Sequence, residues 1–187
     1  DRGTFLRRIL ASMVVVAALA LSLLAEPARA DTFPNGTEPE TVSNDALPTV
    51  QVDGVVWSQV VVGNTVYAGG NFTTARPAGS APGTNTTTRT DLLAYNIVTG
   101  ELINGFAPTF DGQVLGLAAS PDGTRIYAVG EFTKVNGVNR YRAVALNPSD
   151  GSLVSTFTPG FNARARSIVA TADAVYIGGS FTNVSGV

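Results

Sequence analysis

The sequence contains no cysteine and no histidine in 187 residues. The first absence excludes disulfides, thiolate metal sites, a cysteine nucleophile and a lipidated N-terminal cysteine, so stability has to come from packing alone. The second excludes a Ser-His-Asp triad, imidazole metal ligands and the usual general base at neutral pH. Charge is also scarce: Asp, Glu, Lys and Arg make up 14%, where a quarter is ordinary. Beyond residue 30 the balance is 8 basic against 12 acidic residues, with no basic run, which argues against a nucleic-acid partner. Apolar residues are abundant at 44%, together with 20 glycines and 10 prolines. That combination favours a sizeable core made of short strands and many turns over long helices.

Residues 1–30 read as a signal peptide with a helical core. Arg7-Arg8 precedes an uncharged apolar run from Ile9 to Ala25, followed by Pro27-Ala28-Arg29-Ala30. A basic start, an apolar stretch and small residues at Ala28 and Ala30 place cleavage before Asp31. A membrane-anchoring helix is the competing reading. The run of about 17 residues sits at the bottom of the spanning range, and the small-x-small site directly after it favours cleavage. Arg7-Arg8 lacks the flanking residues of a twin-arginine signal, so the general secretory route is the expected one. Residues 31–53 carry Pro and Thr without periodicity and read as a linker, able to supply one strand to the repeats C-terminal to it.

From residue 54 onward the sequence repeats itself. Val66-Tyr67-Ala68-Gly69-Gly70-Asn71-Phe72-Thr73 returns as Ile126-Tyr127-Ala128-Val129-Gly130-Glu131-Phe132-Thr133 and as Val175-Tyr176-Ile177-Gly178-Gly179-Ser180-Phe181-Thr182. Leu92-Leu93-Ala94-Tyr95-Asn96, ending at Gly100, returns as Ala143-Val144-Ala145-Leu146-Asn147, ending at Gly151. Leu102 to Pro108 returns as Leu153 to Pro159. Tyr67, Tyr127 and Tyr176 are 60 and 49 residues apart, a difference of 11. Nine of these residues lie between Phe72 and Arg89 when compared with Phe132 and Arg140, and two lie between Phe110 and Tyr127 when compared with Phe161 and Tyr176. Two loop lengths therefore account for the whole discrepancy, and a period near fifty marks a repeat architecture.

Each unit reads as four short strands. In the second they are expected near Gln113–Ala118, Arg125–Gly130, Arg142–Asn147 and Ser152–Phe157, joined by turn chemistry such as Ser120-Pro121-Asp122-Gly123. Val55-Val56 to Val60-Val61-Val62 is apolar on successive residues, a pattern of strands buried on both faces. Stacked propeller blades bury both faces; a two-sheet sandwich, with one wet face and strict alternation, ranks second. The predicted fold is thus all-β: a partial β-propeller of about two and a half four-stranded blades, spanning 54–108, 113–159 and 163–187, after an N-terminal signal helix. The chain begins with Asp1 and stops at Val187 within a unit, so it reads as an N-terminal piece of a longer protein.

These motifs resemble the delta-sixty-type β-propeller repeats of secreted bacterial proteins, actinobacterial ones above all. The resemblance rests on Gly-Gly-x-Phe-Thr, on Val135-Asn136-Gly137, on the strand from Arg140 to Asn147, on Asp150 to Leu153, and on Phe157-x-Pro159-Gly160-Phe161-Asn162. It covers residues 54–187, and the enlarged loop Thr74–Thr88 departs from it. It implies a secreted or cell-surface propeller, with immunoglobulin-like or sugar-binding modules downstream in many cases, and no established reaction. Quinoprotein propellers are partly similar through Ala94 to Gly100. Their docking tryptophan is replaced by Asn104 and Ser155, and the single tryptophan is Trp57, so a quinone cofactor is not supported.

No residue is assigned a catalytic, cofactor-binding or metal-ligating role. Glu131 stands where the other units have Asn71 and Ser180, and reads as a solvated position paired with Lys134. Asp111, Asp122 and Asp150 read as turn residues that cap their own backbone. Arg164 and Arg166 alternate on one strand face, as a solvated pair or an anion site. Gly69-Gly70 and Gly178-Gly179 read as structural, since a phosphate cradle needs a following helix. The enlarged loop is expected to be mobile, exposed and the first choice for a partner contact. The expected function is a non-enzymatic extracellular binding or scaffold module of a larger secreted or cell-surface protein. Its expected partners are an extracellular protein or carbohydrate and further blades of the same chain, with the membrane met only through the signal peptide. The alternative is a propeller-based enzyme acting on extracellular polysaccharide, with its acids outside this piece.

Overall fold

The computed structural model describes residues 48–185, which hold fifteen short strands and no helix. The predicted signal peptide and most of the predicted linker lie outside them. The first segment contains β1 (Gln51–Val52), β2 (Val55–Val62), β3 (Thr65–Asn71), β4 (Thr74–Arg76), β5 (Thr87–Thr88) and β6 (Leu92–Asn96). The second contains β7 (Val114–Ala119), β8 (Ile126–Gly130), β9 (Lys134–Val135), β10 (Val138–Asn139) and β11 (Ala143–Leu146). The third contains β12 (Gly160–Phe161), β13 (Ala165–Ala170), β14 (Val175–Gly179) and β15 (Val184–Ser185).

Three antiparallel sheets carry the core: β2-β3-β6, β7-β8-β11 and β13-β14. Their registers correspond, with Tyr67 opposite Ala94 in the first and Tyr127 opposite Ala145 in the second. Each first strand is bulged at the same point, between Val56 and Ser58, Val114 and Gly116, and Ala165 and Ser167. The expected fourth strand is reduced to a single bridge, Tyr95–Leu102 in the first segment and Leu146–Leu153 in the second. A tight turn ends it: Phe106 N–H donates to the Ile103 carbonyl at 3.2 Å and Phe157 N–H to the Val154 carbonyl at 3.3 Å. The turn swings each phenylalanine edge-on against the tyrosine of its own sheet, with ring centroids 4.9 Å apart for Tyr67–Phe106 and 5.1 Å for Tyr127–Phe157.

The sheets stack face to face. Tyr67, Leu92, Leu117, Ile126 and Leu146 fill the space between the first and second; Tyr127, Val129, Ala145, Phe161 and Ile168 fill that between the second and third. The middle sheet is therefore covered on both sides, and every residue of β8 and β11 is buried, as unbroken apolar runs require. Burying each of Ile126, Val129, Val144 and Leu146 contributes about 1.5–3 kcal/mol. The same expectation fails for β2, whose residues alternate between half-buried and exposed. Val50, Val52 and Val56 pack against Ala68, Phe72, Ala75 and Leu93, whereas Val55, Trp57 and Val61 of this strand are left exposed. The stack is tightest at its first strands, where a Cβ on Gly116 would sit 3.2 Å from the Arg166 carbonyl oxygen.

A smaller sheet flanks each large one: β1-β4-β5, β9-β10 with the bridge Phe110–Val135, and β12-β15. The end of the predicted linker is thus a strand, with Gln51 opposite Arg76. One side chain per segment fastens this arrangement. The Asp53 carboxylate accepts from Thr73 N–H at 2.8 Å, Thr73 Oγ1 at 2.5 Å and Thr74 N–H at 2.9 Å. Asp111 accepts from Thr133 N–H at 2.7 Å, Thr133 Oγ1 at 2.6 Å and Lys134 N–H at 2.8 Å. Asn162 accepts from Thr182 N–H and Asn183 N–H at 3.0 Å each and donates to Thr182 Oγ1 at 2.9 Å. The recurring Phe-Thr pair thereby has a cause: the ring enters the core and the threonine is clamped. Desolvation opposes ionisation of Asp53 and Asp111, but these hydrogen bonds outweigh it and hold both carboxyls below the usual range. Asp111 is therefore a long-range clamp and not a turn residue. Asp122 and Asp150 do cap local turns, through Thr124 N–H at 3.0 Å and Ser152 N–H at 2.8 Å.

The enlarged loop is anchored at both ends, since β4 and β5 pair with each other, Ala75 opposite Thr87. Only the stretch between them is a free loop, turned by Ser80 N–H to the Pro77 carbonyl and Thr84 N–H to the Ala81 carbonyl. In the second segment the corresponding strands β9 and β10 are joined by Asn136-Gly137 alone, both at positive φ, the signature of a type I′ hairpin.

Candidate functional site

One edge of the stack, where the first strands begin, gathers exposed polar side chains from all three sheets. Its shape follows from a close approach of backbones. Across from each bulge stands a glycine, Gly70, Gly130 or Gly179. A Cβ there would lie 1.9, 2.1 or 2.3 Å from the carbonyl oxygen of Val55, Gln113 or Arg164. No side chain fits, so the second glycine of the pair is present in every copy. The first is not required, because Val129 occupies that position in β8. Among the described residues no helix follows either pair.

The residue after this glycine is Asn71, Glu131 or Ser180, and the bulged residue opposite is Trp57, Leu115 or Arg166. Trp57 is 53% exposed, and its Nε1–H donates to Gln113 Oε1 at 3.1 Å. Gln113 Nε2 donates to the Glu131 carboxylate, and the Arg164 guanidinium pairs with the other Glu131 oxygen. Arg166 Nε leans on Ser180 Oγ at 3.4 Å. These contacts run unbroken from the first sheet to the third along Trp57, Gln113, Glu131 and Arg164, with Arg166 beside them. The Gln113 amide, against desolvation and with help from Arg164, holds the Glu131 carboxyl below its usual range.

Glu131 thus pairs across sheets with Arg164 and not along the chain with Lys134. The Lys134 backbone is drawn the other way by Asp111. The pair is partly solvated and adds little to stability. Arg164 and Arg166 both reach the edge, although the bulge between Ala165 and Ser167 breaks the simple alternation. Chemically the strip is graded, with an aromatic face at one end, an amide and a carboxylate in the middle, and guanidinium at the other end. Among the described residues Glu131 is its only carboxylate, and no cluster of acidic side chains is arranged to hold a metal ion.

A second concavity, of about 570 Å³, lies beside the enlarged loop and is lined by Arg76, Pro77, Thr87, Glu101, Leu102 and Asn104. Next to it Arg89 is buried and donates to the Thr88 carbonyl at 2.7 Å and to Asn104 Oδ1 at 3.3 Å, and desolvation lowers its pKa. Arg140 makes the same bond in the second segment, to the Asn139 carbonyl at 2.9 Å. The contact therefore recurs in both segments, and in both the buried Nε has no partner among the described residues.

Sequence reasoning did not find the clamps of Asp53, Asp111 and Asn162 or the setting of Trp57. The available signal was the recurring Asp or Asn directly after Val52, Phe110 and Phe161. Comparison with protein-family models, curated proteins and solved structures finds no match to this chain.

Proposed function

We propose that this chain is a secreted, non-enzymatic binding or scaffold module made of β-propeller blades, of the delta-sixty type that its motifs resemble, within a larger extracellular protein. One observation carries the reading. Tyr67 is 3% exposed and Tyr127 6%, each covered by the next sheet, whereas the corresponding Tyr176 on the third sheet is 63% exposed. An interface that is used twice within the chain is presented a third time uncovered, as in an array whose sheets each pack on the next. Sheets drawn closest at their first strands support a fan of blades over a flat sandwich. The basic-apolar-small leader supports export, and the graded strip supports binding.

The experiment is expression in a bacterial host, followed by co-sedimentation of the secreted product with cell-envelope polysaccharide and an assay for new reducing ends. The expected result is a product that begins at Asp31, leaves the cytoplasm and binds without cleavage. Release of reducing ends would overturn the non-enzymatic reading, and retention in the cytoplasm would overturn the secreted reading.

A further inference from the structure

Resting on the binding-module reading, we propose that the strip from Trp57 to Arg166 is a site for acidic polysaccharide, with one sugar ring stacked on Trp57 and a uronate carboxylate held by Arg166. Large aromatic side chains are ordinarily covered, yet Trp57 is 53% exposed at a position where the second segment carries Leu115. It is not loose, because its Nε1–H is tied to Gln113 at 3.1 Å. The ring is therefore held in one orientation with a face free, so little ordering is left to be lost on binding. The C–H face of a pyranose is apolar and electropositive at its edges, matching the negative face of an indole.

The charge pattern selects among sugars. Arg164 is paired with Glu131, while Arg166, which also feels the Glu131 charge, makes one hydrogen bond, the 3.4 Å contact of its Nε with Ser180. Its two terminal nitrogens have no protein partner among the described residues, leaving a planar fork of the geometry that carboxylates accept. The chain as a whole carries a net charge of −2, so attraction for a polyanion is local to this end of the strip. Gln113 stands between and Ser180 beside Arg166, where sugar hydroxyls would find donors and acceptors. An acidic peptide would satisfy Arg166 but offers no flat apolar ring to Trp57, which is why the saccharide is favoured.

Trp57 is the sole tryptophan, so its emission reports on the site directly. The full chain is titrated with a short oligogalacturonate, with its methyl-esterified neutral counterpart and with poly-glutamate. The acidic sugar is expected to quench and blue-shift the emission saturably and to bind about tenfold more tightly than the neutral one. Arg166→Gln should abolish that preference. Trp57→Ala should weaken binding, measured by calorimetry, by about tenfold or more, with circular dichroism unchanged because both side chains are exposed. No saturable response, an equal response to poly-glutamate, or an intact preference in Arg166→Gln would overturn the proposal. If envelope polysaccharide still co-sediments while oligogalacturonate fails, only this site assignment falls. If both fail, the binding-module reading falls with it.

Discussion

Replacing Asp111 by alanine should destabilise the chain by about 2 kcal/mol, whereas replacing it by asparagine should change stability by less than about 0.5 kcal/mol. Asp111 accepts three hydrogen bonds, at 2.7, 2.6 and 2.8 Å, that tie the Phe132-Thr133 turn to the start of the second segment. Bonds to an ionised acceptor contribute about 1.5–3 kcal/mol each when buried. This carboxylate is exposed, and solvent screening reduces each to well under 1 kcal/mol. The asparagine prediction is read from the protein itself. Asn162 makes the corresponding clamp with an amide, accepting two N–H groups and donating to the Thr182 hydroxyl, so Thr133 need only turn its hydroxyl round. The pH dependence comes from the same geometry. A folded-state pKa below the ordinary 3.8 means that the stabilisation is complete above about pH 4 and is lost as pH falls from there towards the folded-state value. Asp53 behaves alike and Asn162 does not titrate. Urea denaturation at pH 7 and at pH 3 measures both effects. If Asp111→Asn is as damaging as Asp111→Ala, or the acid loss is no smaller in an Asp53→Asn/Asp111→Asn double variant than in the wild type, the clamp account is wrong.

Other outcomes depend on single contacts. Gly130→Ala should lower stability by about 3 kcal/mol through the clash with the Gln113 carbonyl at 2.1 Å, whereas Gly105→Ala, with its nearest neighbour 4.0 Å away, should be nearly neutral; equal thermal midpoints would refute the close-approach argument. Tyr127→Ala should cost about 3 kcal/mol and Tyr176→Ala under about 0.5 kcal/mol, as judged by calorimetric melting; similar losses would mean that the two faces are equally covered. Replacing Arg76–Thr86 by Asn-Gly, the join used between β9 and β10, should shift stability by less than about 1 kcal/mol, and a large loss would make the enlarged loop structural.

Much of the fold was legible because propensity and pattern agree at the centre of the chain. Ile126-Tyr127-Ala128-Val129 and Ala143-Val144-Ala145-Leu146 are unbroken apolar runs between turn residues, and both became fully buried strands. β2 carries two apolar stretches, Val55-Val56-Trp57 and Val60-Val61-Val62, and is half exposed, because burial of both faces depends on neighbours that no local pattern encodes. The fourth strand failed for a different reason. Leu153-Val154 has strand composition, but the turn after it commits Phe157 to packing on Tyr127, leaving one bridge where several were expected. At the strip, Arg164 and Arg166 were visible as a pair, whereas the Glu131–Arg164 contact spans 33 positions and two sheets. Choosing Lys134 as partner of Glu131 applied a helix-like proximity rule to a turn. Asp111 was misread similarly, since a turn aspartate and a clamp aspartate share the same neighbours in sequence and differ only in what folding brings across from them.

Sheets that pack each on the next, with the outer face of the third uncovered, are the core of the proposed architecture. Sedimentation of the chain over a concentration series tests this most directly, with the wild type beside a Val169→Asp/Tyr176→Asp variant. The wild type is predicted to associate increasingly with concentration through that exposed apolar face, and the variant to remain monomeric with unchanged circular dichroism. A wild-type chain that stays monomeric throughout and melts in one sharp transition would contradict it, because the third face would then not behave as an uncovered sheet-to-sheet interface.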